Sequence, residues 1–356
     1  MLKPKVFVFA PADTSGESYR IIEDAGCEIV YGKASWRTPQ GGNEDEICAM
    51  AKGAHALTGT SIRSSPITRK IMESAQDLRI IAKSTIGVDD VDIQAATERG
   101  ILVTHCPVES NWSAVAEGTM AIILTLLKKT RERDEAVKRG EWRDPSLQGS
   151  YLGRRQDGYQ GLTIGIVGLG RVGRRLADLL APWRVRILAC DPYVEQSRFV
   201  LSNAERVDLP TLLKESDIVS LHVILTKETR QMIGAKELAL MKKNAILVNT
   251  SRGQVINEKA LVDALQSDKI TAAGLDVFED EPLPADSPLF KMGHKVLLSP
   301  HMVSSNFGSG LLRQGVECAN HALLAALNGE IPDFVYNKEV IPRWLERFGG
   351  RKVHGR

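Results

Sequence analysis

The sequence predicts an α/β protein built from two doubly wound parallel-sheet domains. Two observations carry that reading. Short apolar, β-branched runs alternate with helix-period patterns almost from end to end, as βαβ units require. The chain has 356 residues, too many for one ordinary hydrophobic core and comfortable for two.

In the first series the runs KVFVFA, CEIVY, HALTG, LRIIAKS and ILVTH read as strands. Helical patterns lie between them over residues 16–25, Glu44–Ala51, 67–75 and 92–99, with Gly26 and Gly100 where helix C-caps belong. A long pattern over 113–139 follows, apolar in its first half and charged in its second. It reads as one helix serving either as a connector between domains or as a dimer surface. After the polar, Gly-rich stretch 140–161, a second series runs through LTIGIVG, VRILACD, DIVSLHV, AILVNTS, ITAAGLDVF and KVLLSPH. The chain then returns to a helix over 311–327 and an extended tail containing Pro332 and Pro342. That last helix has no strands of its own. It therefore belongs with the first series, giving a discontinuous domain of residues 1–112 and 303–356 and an inserted one of 113–302.

A net charge of +2 gives no reason to invoke nucleic acid or an anionic membrane as partner. The five cysteines are odd in number and irregularly spaced, which argues against a disulfide framework and for a reducing, cytoplasmic setting. The first apolar run is short and cut by Pro11, so it reads as a strand and not as a signal core. The remaining histidines lack ligand spacing, and no metal is expected.

Gly168-Leu169-Gly170-Arg171-Val172-Gly173 has the form G-x-G-x-x-G. Its context gives it weight: a buried strand precedes it, a helix begins at Arg171, and Asp191 ends the next strand 18 residues after Gly173. Gly168 permits the tight turn, Gly170 lets backbone approach a pyrophosphate, and Gly173 lets helix pack on strand. The free N–H groups at the helix start attract phosphate. A carboxylate at Asp191 accepts from both ribose hydroxyls and repels a 2′-phosphate, which favours NAD over NADP.

Arg252, Glu281 and His301 each stand beyond the C-terminal end of a predicted strand, the edge where open parallel sheets bind ligands. Reduction of a 2-keto acid needs a proton donor at the oxygen, for which His301 is the candidate. A carboxylate such as Glu281 favours the protonated ring and fixes its orientation. Arg252 can fork onto a substrate carboxylate.

The segments NTSRG (249–253), GLDVFEDEP (274–282) and SPH (299–301) resemble signatures of the D-isomer-specific 2-hydroxyacid dehydrogenases, among them the phosphoglycerate dehydrogenases and hydroxypyruvate and glyoxylate reductases. GLGRVG, SDIVSLHV (216–223) and GVDDVDIQAATERGI (87–101) join them in the right order across nearly the whole chain. The resemblance implies a flavodoxin-like substrate domain with an inserted Rossmann domain, NAD as cofactor, a small anionic 2-hydroxy or 2-keto acid as substrate, and a homodimer. It implies the same roles for Arg252, Glu281 and His301. It places Thr250 on the cofactor side and Asp276 on the nicotinamide carboxamide, and gives the Ile86 and Gly87 backbone to the substrate carboxylate. Arg63 and Lys83 fall where phosphoglycerate dehydrogenases carry substrate-contacting arginines, although a lysine lacks the bidentate fork.

Three departures stand out: Ile224 replaces a common proline, Met302-Val303-Ser304 replaces a glycine-rich turn, and Gly118 replaces a frequent histidine. Two other readings stay open, an NAD(H)-sensing interaction protein of the same fold, as in the C-terminal-binding-protein corepressors, and a phosphite-type dehydrogenase. A formate dehydrogenase is disfavoured by Glu281, where that branch carries glutamine.

Overall fold

The computed structural model describes residues 3–13, 15–33, 43–60, 66–304 and 313–353. Arg63 lies outside them. The chain divides into two compact units, Met1–Asn111 with Ser305–Arg356, and Trp112–Ser304.

In the first unit, β1 (Lys5–Ala10), β2 (Glu28–Tyr31), β3 (Ala56–Gly59), β4 (Ile80–Lys83) and β5 (Leu102–Thr104) form a parallel sheet ordered β2-β1-β3-β4-β5. Alternation along each strand sends side chains to two cores. Phe7, Leu57, Ile81 and Val103 pack with Ile47, Ile71 and Ala95, from helices Glu44–Ala51, Arg69–Ser74 and Ile93–Glu98. Val8, Ala56, Ile80 and Leu102 face the other way, where Val316, Leu323 and Leu327 of helix Arg313–Leu327 cover them.

The second unit carries β6 (Thr163–Val167), β7 (Arg186–Cys190), β8 (Glu205–Arg206), β9 (Ile218–Leu221), β10 (Ile246–Asn249), β11 (Ala272–Leu275) and β12 (Val296–Leu298). They pair in parallel in the order β12-β11-β10-β9-β6-β7-β8. The order reverses between β6 and β9, which opens a crevice at their C-terminal ends. Ile164, Ile166 and Val248 pack with Ile123 of helix Glu109–Lys128 and Leu176 of helix Arg171–Leu180. Val167, Leu221 and Leu275 face helices Leu209–Glu215, Ala235–Leu240 and Glu258–Gln266.

Two expectations are corrected. The pattern over 113–139 is not one helix but two, Glu109–Lys128 and Thr130–Lys138, broken at Lys129 with φ 51°. The continuous apolar stripe ends at Leu127, and the charged half buries only Ala136, too little to carry the same helix axis onward. The tail is not wholly extended: Pro342 opens helix Ile341–Phe348, where its missing N–H is harmless. That helix buries Trp344, whose Nε1 donates to the Arg79 carbonyl at 2.9 Å. Strand β8, only two residues long, had no pattern to announce it.

Candidate active site

The glycine loop joins β6 to helix Arg171–Leu180 at the sheet's reversal point. Gly168 has φ +92°, and a Cβ there would lie 2.6 Å from the His222 carbonyl at the end of β9. A Cβ on Gly173 would lie 2.1 Å from the Gly168 carbonyl, so only glycine allows this helix–strand contact. Gly170, the N-cap, faces open space: a Cβ there meets nothing within 4 Å, and would fill room a phosphate needs. Arg171 and Val172 open the helix, whose first N–H groups have no intrahelical acceptor and favour an anion.

Asp191 stands beside this loop, with Oδ2 accepting from the Leu169 N–H at 2.8 Å and Oδ1 from the Tyr193 N–H at 2.9 Å. The carboxylate thus latches the loop while remaining only half-buried. A glycine-lined helix start beside a half-buried carboxylate is chemistry that fits a dinucleotide.

The backbone beyond β10 is organised by the strand's last residue, Asn249, which no periodicity or spacing singles out. Fully buried, its Oδ1 accepts from the Ser251 N–H and Oγ, and its Nδ2 donates to the Arg252 carbonyl at 2.9 Å. Arg252 Nη1 donates to the Ser251 carbonyl at 2.7 Å. Thr250 is buried and shares a 2.8 Å hydrogen bond with Thr119. A Cβ on Gly253 would fall 1.8 Å from the Phe278 carbonyl, so the Arg252 loop lies directly on the backbone that leads to Glu281. Gln254 secures the contact by donating to the Glu279 carbonyl at 2.7 Å.

Glu281 and His301 meet as the sequence predicts. Glu281 Oε2 lies 2.8 Å from His301 Nδ1, and its Oε1 accepts from the Phe278 N–H at 3.0 Å. With Nδ1 engaged by the carboxylate, Nε2 is the nitrogen left to exchange a proton. His301 has φ 55°, a left-handed backbone that non-glycine residues adopt mainly where surroundings enforce it. The enforcing group is Asp276. Its Oδ1 accepts from Ser299 Oγ at 2.5 Å, from the Met302 N–H at 2.9 Å and from the Val303 N–H at 3.2 Å, the last also reaching Oδ2. Burial holds the Asp276 carboxyl above its ordinary pKa, against the downward pull of the Ser299 bond.

Residues 120–303 match the family model for the D-isomer specific 2-hydroxyacid dehydrogenase NAD-binding domain, just over half of the chain. The chain belongs to that family. The dehydrogenase is 37% identical to a glyoxylate reductase of Thermofilum pendens over 348 residues, 96% of each chain. It is 36% identical to a D-3-phosphoglycerate dehydrogenase of Methanocaldococcus jannaschii, covering 95% of this chain and 60% of that one. Among solved structures it resembles an Aquifex aeolicus D-lactate dehydrogenase complexed with NAD and lactic acid (TM-score 0.77, 26% identity, 95% and 98% covered). It is an NAD-dependent oxidoreductase of the hydroxy-acid and keto-acid class.

Within this dehydrogenase, Lys83 does not have the exposure a substrate contact would need. It is fully buried, its Nζ 2.6 Å from Asp90 Oδ2 and 2.8 Å from the Thr60 carbonyl. The pair brackets the turn that carries Ile86 and Gly87. Sequence alone could not expose this, because a lysine's burial depends on a partner seven residues away. His222, just beyond β9, shares a 2.8 Å hydrogen bond with Ser220, and burial pushes its pKa down to about 3. Two of the sequence departures prove to be one feature: a Cβ on Gly118 would lie 1.9 Å from Val303 Cγ2. The valine in the His301 loop occupies the space that glycine leaves in the helix.

Proposed function

We propose that the dehydrogenase reduces a small 2-keto acid, or oxidises the matching D-2-hydroxy acid, with His301 as acid/base. The observation that carries this reading is the Glu281–His301 pair at the same sheet edge as the glycine cradle. NADH, when bound, supplies the hydride to C2. His301 gives its Nε2 proton to the carbonyl oxygen as the alcohol forms, and takes it back in reverse. Glu281 keeps the ring in register and stabilises its charge. Arg252 holds the substrate carboxylate and polarises the carbonyl. The family resemblance gives the Ile86 and Gly87 backbone N–H groups a carboxylate-binding role as well. Asp276, besides seating the His301 loop, faces the nicotinamide carboxamide in this proposal. Small, unbranched acids suit it best, since the relatives at 37% and 38% identity that match its length are glyoxylate reductases.

We also infer a homodimer and a reducing compartment. Trp142, 75% exposed, with Val137 and Tyr151 nearby in sequence, offers apolar surface for a second copy, and five free cysteines suit a reduced setting. Among the described residues no helix is long and apolar enough to cross a membrane.

The test follows NADH absorbance against glyoxylate, hydroxypyruvate, pyruvate and bulkier keto acids. Turnover of at least one, falling by 10³-fold or more in His301→Ala while NADH still binds, is expected on the scale of a lost general acid (about 10²–10⁴). Tight NADH binding without turnover of any keto acid would instead favour a cofactor-sensing protein.

A further inference from the structure

We propose that His105 is a positioning residue, fixing the Ile86–Gly87 peptide so that its N–H faces the substrate carboxylate. The inference rests on the proposed function above and adds to it a residue outside the NAD-binding unit.

Strands β4 and β5 are parallel neighbours, so the turn after Lys83 and the segment after Thr104 leave the same edge of one sheet. There His105 Nδ1 lies 3.2 Å from the Ile86 carbonyl oxygen. A carbonyl can only accept, so Nδ1 carries the proton. The peptide that follows is planar and trans, and its C=O and N–H therefore point in opposite directions. Holding the Ile86 carbonyl against the imidazole turns the Gly87 N–H away from His105.

That N–H is available. Among the described residues no acceptor is hydrogen-bonded to the Ile86 or the Gly87 N–H, and both residues are only half-buried. Successive free backbone N–H groups form a concavity suited to an anion. The rest of the turn is pinned. The Thr85 carbonyl accepts from the Cys106 N–H at 2.9 Å, Thr85 Oγ1 donates to the Gly87 carbonyl at 3.1 Å, and the buried Lys83–Asp90 pair closes its ends.

His105 is itself held from behind. Its N–H donates to the Phe334 carbonyl at 3.3 Å, and its ring meets Tyr336 edge to face, with centroids 5.8 Å apart at 76°. Tyr336 in turn donates its N–H to the Val103 carbonyl of β5 at 2.7 Å. A chain of fixed contacts thus runs from the segment near Tyr336 through the imidazole to the Ile86–Gly87 peptide plane.

The experiment compares His105→Phe, which keeps a ring against Tyr336 but removes the donor, with His105→Gln, which keeps an N–H donor without the ring. In the full-length enzyme, KM for the keto acid should rise about tenfold in His105→Phe, with kcat and NADH affinity within about threefold of wild type, and His105→Gln should recover most of the loss. An unchanged KM in His105→Phe overturns the inference. So does a KM that rises in His105→Gln but not in His105→Phe, since that pattern reports ring packing. If the wild-type chain reduces no 2-keto acid, the proposed function fails separately. The Gly87 amide ¹⁵N resonance then still decides for His105, because it follows the hydrogen bond on the preceding carbonyl. A resonance unmoved in His105→Phe rejects the contact.

Discussion

At position 118 the helix Glu109–Lys128 carries a glycine where helix propensity argues for almost anything else. Replacing an interior helical glycine by alanine ordinarily stabilises by about 1 kcal/mol. Here the added methyl would stand 1.9 Å from Val303 Cγ2 and 2.8 Å from the Val303 carbonyl, two residues from His301. Gly118→Ala should therefore lower kcat by about tenfold and yield no gain in thermal stability, since overpacking costs about 1–3 kcal/mol. Adding Val303→Gly should recover activity, because a glycine lets the loop draw back. A Gly118→Ala enzyme that is both more stable and fully active would show that the contact is unimportant. Each departure was visible in the sequence, and their coupling was not: nothing in a linear string says that residues 118 and 303 share one space. The glycine fingerprint and Asp191 were legible because their spacing is local to a single βα unit. Asn249 and Asp276 became interpretable as organisers only once their hydrogen bonds were on view.

Among the elements, the strand ends do most to set the chemistry. Nearly every strand was readable from its apolar run. The turns that follow them were not, since their conformation depends on partners such as Asp276, Asn249 and the Lys83–Asp90 pair. That pair makes a sharp prediction for the turn between β4 and helix Ile93–Glu98. Lys83→Met removes the ammonium 2.6 Å from the buried Asp90 carboxylate and should destabilise the protein by about 3–5 kcal/mol in urea unfolding. The double variant Lys83→Met/Asp90→Leu should lose less, since it removes the buried carboxylate together with this ammonium. Equal losses in both would mean that shape, not charge, governs the turn. The break at Lys129 and the helix begun by Pro342 teach a related point. Periodicity locates helices where a core holds them, and it says little where charged residues run past the last apolar contact.

For the molecule as a whole, acid stability offers a direct handle. The native pKa of His222 is held near 3 by burial, while the unfolded chain binds that proton at the ordinary value near 6.5. Below that value the unfolded state carries more protons than the native one. Stability from this group is therefore complete above about pH 6.5 and is lost progressively as pH falls toward 3. His222→Asn should narrow the gap between urea midpoints measured at pH 5 and pH 7.5. A gap that does not change would place the acid sensitivity elsewhere.

The helix Arg313–Leu327 that seals one face of the β1–β5 sheet has a temporal consequence. During synthesis the five strands leave the ribosome about two hundred residues before their cover is translated. The intervening stretch is a contiguous unit with its own two cores, free to fold while the earlier sheet waits with an apolar face open. The nucleotide cradle is then finished before the turn at Gly87 has its support from Tyr336. A nascent chain stalled just short of residue 313 would expose Val8, Ile80 and Leu102 to whatever chaperone passes.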